Sequence, residues 1–138
     1  MGDITKNISQ RELNCKCRNS NCSVTIHRDE PIIKIWQNVC DHFAARHDVD
    51  KVVLKITSAA RCYEYNRVPV SRNGPGSNDQ SQHPRTCAID AQIYINGEQI
   101  PPRHIHKYLD NKFPKSLGLG LYATFNHVDT RRTEKARW

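Results

Sequence analysis

The chain predicts an α+β domain, a small antiparallel sheet flanked by helices, on three observations. Segments with apolar residues at helical spacing are interleaved with segments in which every second residue is apolar. An Asn96-Gly97 pair directly after one alternating run marks a hairpin turn. At 138 residues the chain has the length of one core rather than two. Residues 1–138 therefore read as a single domain, with 1–28 as a cysteine-bearing N-terminal arm and 131–138 as a basic C-terminal tail.

The polar arm leads into a helix. Asp29 is placed to cap it, Pro31 is tolerated in a first turn, and Glu30 suits the positive end of the helix dipole. Beyond them Ile32, Trp36, Val39, Cys40 and Phe43 fall on one face, which predicts about four turns with one buried side. After the charged break HDVDK, the run VVLKITS alternates, Val52, Leu54 and Ile56 against Val53, Lys55 and Thr57, as a half-buried strand does. The stretch RVPVSRNGPGSNDQSQHPR has no apolar period and is rich in Gly, Pro, Ser and Asn, so it predicts a long loop over the domain. Loops of that length in small domains often carry function.

The loop ends in CAIDAQIYI, a second strand with Ile89, Ala91, Ile93 and Ile95 on one face and Ala88, Asp90, Gln92 and Tyr94 on the other. A short helix follows in PPRHIHKYLDNKF, burying Ile105, Leu109 and Tyr108. The final run GLGLYATFNHVDT alternates throughout. It puts Leu121, Ala123, Phe125, His127 and Asp129 on one face and Tyr122, Thr124, Asn126, Val128 and Thr130 on the other. Helices mixed with hairpin strands are the pattern of α+β domains.

Composition narrows the function classes. The hydrophobic fraction is 37%, and no window approaches the roughly 20 apolar residues that a membrane span needs. The opening MGDITKNISQ lacks the apolar stretch of a secretory signal, so a protein of this sequence acting outside a cytoplasm is expected to be delivered or released by other means. A net charge of +7 attracts polyanions such as nucleic acid, acidic lipid or anionic cell-wall polymer. No recognised nucleic-acid motif accompanies the charge, so nucleic acid is not an expected partner. Much of the excess lies in Arg131, Arg132, Lys135 and Arg137, which read as a solvated tail.

Six cysteines permit up to three disulfides or a metal site with thiols left over. Cys15, Cys17 and Cys22 have C-x-C-x4-C spacing, and a fourth thiolate from Cys40 or Cys62 would complete a structural zinc site; packed thiols or disulfides explain the pattern about as well.

His83, Asp90 and His127 make a two-histidine, one-carboxylate set. A catalytic zinc ion takes three such ligands and keeps a fourth position for water, whose pKa falls to about 7. Extended chain would hold His83 and Asp90 roughly 23 Å apart at about 3.3 Å per residue, so a shared ion requires a bend, which Pro84 and the irregular PRTC allow.

The segments ISQRELNCKC, ITSAARCYEYN, SQHPRTCAID and GLGLYATFNHVDTRRTEKARW, in that order, resemble the zinc D-alanyl-D-alanine carboxypeptidase and L-alanyl-D-glutamate endopeptidase family, especially its small phage-type members. The S-x-H-x6-D pattern is met by Ser81, His83 and Asp90, and the F-x-H-V-D strand by Phe125, His127 and Asp129. The resemblance implies a fold shared with the hedgehog signalling domain, one catalytic Zn²⁺ on His83, Asp90 and His127, and cleavage of peptidoglycan stem peptides. It also implies a lysis enzyme held in the host cytoplasm until release, or a peptidase carried in a virion beside other virion proteins.

The family's S-G-Y-R motif corresponds to Ser58-Ala59-Ala60-Arg61, which retains the arginine thought to hold a substrate carbonyl or carboxylate. Arg61 is thus a candidate for catalysis and, with Ser81, for substrate binding; a structural pair with a carboxylate such as Asp129 is the alternative. Where relatives carry a general base, three or two residues before the distal histidine, this chain has Thr124 and Phe125. Asp129 is the best substitute on that strand, and equally a candidate anchor for a ligand or partner for Arg61 or Arg131. Thr86 stands where relatives prefer glycine. His104 and His106 are expected to be exposed, and Trp138 to pack against the domain rather than bind. The missing base leaves a second reading open, a non-catalytic virion or interaction module that keeps the peptidase fold.

Overall fold

The computed structural model describes residues 2–138. Its first helix is a single turn, α1 (Gln10–Leu13), started by Ser9, whose N–H donates to the Glu12 carboxylate at 2.8 Å. The arm is no loose appendage, because Ile8, Leu13 and Ile26 are wholly buried in the core. Helix α2 (Pro31–Arg46) buries all the residues its spacing singles out, and Ile33 with them. It begins one residue later than expected: Glu30, not Asp29, is the extended residue at its start, and Pro31 occupies the first helical position. Helix α3 (Tyr63–Arg67) is short, and α4 (Pro102–Lys112) buries Ile105 and Leu109 as its sequence predicts.

Strands β1 (Val53–Ser58), β2 (Ala88–Ile95), β3 (Glu98–Gln99), β4 (Gly118–Leu121), β5 (Asn126–Asp129) and β6 (Ala136–Arg137) form one sheet in the order β1-β2-β5-β4-β6, with β3 also pairing β2. All pairs are antiparallel except β4 and β6, which are parallel, so the sheet is mixed rather than purely antiparallel. Asn96 and Gly97 take positive φ, 52° and 79°, between Ile95 and Glu98, as a type I′ hairpin turn requires.

The last alternating run is not one strand. It folds into the β4–β5 hairpin, turning at Tyr122–Phe125, where Tyr122 N–H donates to Phe125 O at 3.2 Å and the two rings stack 4.4 Å apart. A strand period carried across the turn hid it. The long loop is also more ordered than its composition suggests: short 3-10 turns at Val70–Arg72 and His83–Arg85 interrupt it.

Helix α2 packs on β2 and α4 on β4, so one face of the sheet is the core, with Ile89, Ala91 and Ile93 from β2 inside it. The opposite face differs along its length. At the Asp90 end it is buried, whereas Gln92 and Tyr94, further along the same face, are only partly covered.

Candidate metal centre

Strand register assembles most of the centre. Asp90 of β2 lies directly opposite His127 of β5, so two residues 37 apart in the chain become cross-strand neighbours. On the other edge of β2 the β1 register shifts between Ile56 and Ser58, which sets Ser58 opposite Asp90. Such bulges re-aim a strand next to functional sites, and here the chain leaves β1 as Ala59-Ala60-Arg61, toward the centre.

His83 arrives by the bend that the spacing demands. It opens the 3-10 turn, Pro84 sits within that turn, and Thr86 ends it in the left-handed region at φ 55°. Few L-residues adopt that conformation without cost, a β-branched one least of all. Ser81 Oγ accepts the His83 N–H at 3.3 Å and so helps shape the turn.

The three side chains meet. Asp90 Oδ1 is 2.8 Å from His127 Nδ1, and Asp90 Oδ2 is 3.2 Å from His83 Nε2. All three are buried, and their ligand-type atoms lie within 4.8 Å of one another. The outer hydrogen bonds test whether a cation fits. His83 Nδ1 lies 2.6 Å from Ala59 O, which can only accept, so this nitrogen carries a proton and Nε2 is the atom turned toward Asp90. His127 Nε2 faces Asp129 Oδ2 at 2.7 Å, which leaves Nδ1 toward Asp90. One nitrogen from each imidazole and a carboxylate thus converge, a donor set that a shared cation fits. Without an ion, His127 is held between two carboxylates. Burial opposes a charged His127, but Asp129 and Asp90 outweigh it and push the imidazole pKa up. Burial likewise opposes ionisation of Asp90, yet the bonds to His127 and His83 hold its carboxyl well below the usual range.

Asp129, a candidate base, is 0% exposed and engaged on every side. Arg131 Nε donates to its Oδ1 and Nη2 to its Oδ2, both at 2.8 Å, while His127 holds Oδ2. Burial would raise its pKa, but Arg131 and His127 hold it far down. It contacts the His127 nitrogen that faces away from Asp90, the position of an anchor rather than of a base. Gly118, opposite Asp129, makes room for it: a Cβ there would stand 2.3 Å from Asp129 Oδ2.

Arg61 does not pair with Asp129. Its Nε donates to Ser58 Oγ at 3.0 Å and its Nη1 to Asn66 Oδ1 and Ser77 Oγ at 3.1 and 3.2 Å, while Nη2 stands 3.7 Å from Asp90 Oδ2. Burial pulls its pKa down, opposed by Asp90. The guanidinium is therefore fixed through two nitrogens and presents the third to a cavity of about 680 Å³, which His83, Asp90, His127 and Ser81 also line. That volume is in the range of small-molecule sites.

His104 and His106 do not line the cavity. Trp138 is tied to the domain as expected, its backbone N–H donating to Leu119 O at 3.0 Å, but its half-exposed indole also walls the cavity, 5.1 Å from the His127 ring and donating to Tyr122 OH at 2.8 Å. Gly120 gives it space, since a Cβ there would stand 2.8 Å from the indole. Sequence reasoning missed Trp138 and Tyr122 as wall residues; the small-residue alternation of Gly118 and Gly120 beside the distal histidine was the available signal. The basic tail is likewise only partly solvated, because Arg137 donates to Asp110 at 2.7 Å and to the carbonyls of Phe113, Ser116 and Leu117.

A second cluster gathers Cys15, Cys17, Cys22 and Cys62, with sulfurs within 4.8 Å of one another. Cys62 rather than Cys40 joins the arm; Cys40 is buried in the core. No helix among the described residues is long and apolar enough to cross a membrane.

A family model described as Peptidase M15 matches residues 6–129. No curated protein and no solved structure matches the chain.

Proposed function

From the premise that this chain belongs to the M15 peptidase family, we propose that it is a zinc-dependent hydrolase of peptide bonds in peptidoglycan stem peptides, with His83, Asp90 and His127 as the metal ligands. The observation that carries the reading is the convergence of two imidazole nitrogens and a carboxylate on the cavity that Arg61 lines. Bound zinc would supply Lewis acidity, polarising a peptide carbonyl and bringing the pKa of water to about 7.

The chain's own residues do the rest. Ala59 O orients the His83 ring, and Asp129 orients that of His127 while Arg131 neutralises the carboxylate. Arg61 offers Nη2 to a substrate carboxylate or to the oxygen on which charge develops, a role suited to a pre-positioned guanidinium. Ser81 shapes the turn that carries His83 and stands at the same wall, within reach of a bound peptide. The net charge of +7 favours approach to an anionic wall. A wall hydrolase of a phage, released at lysis or carried in a virion with other virion proteins, is the setting that the sequence blocks support.

One observation favours a second reading. Among the described residues, Asp90 is the only carboxylate lining the cavity, so no unpaired side-chain base faces it. A structural or interaction module would keep the cluster and need no base. Zinc-loaded protein incubated with purified peptidoglycan distinguishes the two: release of new amino and carboxyl termini from the stem peptides, lost in His127→Ala, supports the hydrolase. Intact peptidoglycan at full zinc occupancy overturns it in favour of the module.

A further inference from the structure

Outside the cavity, the most concentrated group of metal-binding side chains is the cysteine cluster. A tetrahedral zinc ion with Zn–S bonds of about 2.3 Å needs sulfur–sulfur edges of about 3.8 Å. The four sulfurs, already within 4.8 Å of one another and free of disulfide bonds, reach that geometry with shifts of about an ångström or less. Four sulfur donors fill a tetrahedron and leave no vertex for water, which is the pattern of a structural rather than a catalytic ion.

The backbone around the cluster is arranged to present these donors. The arm closes on itself where Cys15 N–H donates to Val24 O at 2.8 Å and Asn14 bridges Thr25. It turns where Cys22 N–H donates to Asn19 O at 3.0 Å, which brings Cys17 and Cys22 back toward Cys15. Cys62 enters from the other side as the residue before α3; its sulfur accepts Tyr65 N–H at 3.4 Å, and its own N–H donates to Cys15 Sγ at 3.3 Å. These N–H···S contacts orient ligands from outside, as outer hydrogen bonds do in metal sites. A zinc ion with four thiolates carries a net charge of −2, and on the adjoining surface Lys16, Arg18 and Arg72 outnumber the one acidic residue, Glu64.

We infer that Cys15, Cys17, Cys22 and Cys62 bind one structural zinc ion, and that this ion fastens the arm to the segment Ser58–Cys62 and so positions Arg61 and the Ala59 carbonyl that orients His83. That segment is five residues long and touches both clusters: Ser58 and Ala59 bond Arg61 and His83, Ala60 N–H reaches Leu13 O of the arm at 3.4 Å, and Cys62 joins the sulfurs. The ion itself does not depend on the peptidase reading; only the effect on Arg61 in catalysis rests on it.

The test uses the full chain purified under reducing conditions. Elemental analysis is expected to find two zinc ions per chain, one in His127→Ala, and one in Cys22→Ser. Cobalt loaded into His127→Ala is expected to give an intense thiolate-to-cobalt charge-transfer band that Cys22→Ser/His127→Ala lacks. Where stem-peptide hydrolysis is measurable, Cys22→Ser is expected to raise KM about tenfold with a smaller change in kcat, the signature of a displaced Arg61 rather than of lost metal chemistry. A wild-type chain with a single zinc that His127→Ala abolishes, a mass four hydrogens light from two disulfides, or iron in the sulfur site would each overturn the inference. If peptidoglycan stays intact while His127→Ala still holds one cysteine-bound zinc, the peptidase reading fails and this one stands.

Discussion

The histidine–aspartate centre and the cysteine cluster adjoin the same short segment, yet they are built by opposite means. The first is set by strand register: Asp90 and His127 are buried, opposed across β2 and β5, and braced by Ala59 O and Asp129. The second is set by loops, its four sulfurs only half-buried and gathered by an arm that turns back on itself. The first has three donors beside a cavity of about 680 Å³; the second has four, two of them, Cys17 and Cys62, on the wall of a smaller cavity. Donor count, more than donor type, separates a centre that can work on a substrate from one that can only hold the fold.

The sharpest break in that comparison is Asp90→Asn. Losing the shared carboxylate is expected to reduce stem-peptide hydrolysis by more than the roughly 100-fold worth of an outer hydrogen-bond partner while leaving the cysteine-bound metal in place; metal analysis beside the activity assay checks both halves. Next comes Asp129→Asn, which leaves the ligands intact but loosens His127. A loss of about 10–100-fold in zinc affinity at the histidine centre is expected, measured by competition with a chelator. Gly118→Ala acts through packing. Its Cβ would press on the Asp129 carboxylate at 2.3 Å, which Arg131 and His127 hold in place, so a loss of about 1–3 kcal/mol in denaturant unfolding is expected.

The smallest effect lies at an ion pair outside both clusters. Arg137 bonds Asp110 and lowers its pKa, so the pair stabilises the fold above the unfolded carboxylate value and loses that contribution as pH falls through the lower folded value. Asp110→Asn is therefore expected to flatten the acid limb of Tm against pH slightly, and high salt to shrink the difference, because Asp110 is half-exposed.

Much of this was readable beforehand, for reasons that differ by element. Helix α2 and strands β1 and β2 were legible because one periodicity runs through each without interruption, and the Asn96-Gly97 turn because few other residues accept positive φ at two successive positions. The β4–β5 hairpin was hidden because Tyr-Ala-Thr-Phe carries none of the usual turn residues and the apolar alternation continues in phase across it. The parallel placement of β6 has no local signal, since two residues are too few to show a period. At the centre, residue types singled out the three side chains that meet, and the need for a bend at Pro84 followed from chain length alone. Tertiary contacts decided what types could not: Cys62 over Cys40 at the sulfur cluster, and Arg131 over Arg61 as the partner of Asp129.

The β2–β5 register has one more consequence. Because successive side chains on a strand point to opposite faces, slippage by a single position would turn Asp90 into the greasy interior and offer Ile89 or Ala91 in its stead. No halfway version of the centre exists between those two alignments. On the proposed ligand set, zinc uptake by His83, Asp90 and His127 would thus be a head-count of correctly zipped molecules in any preparation, independent of any activity they have.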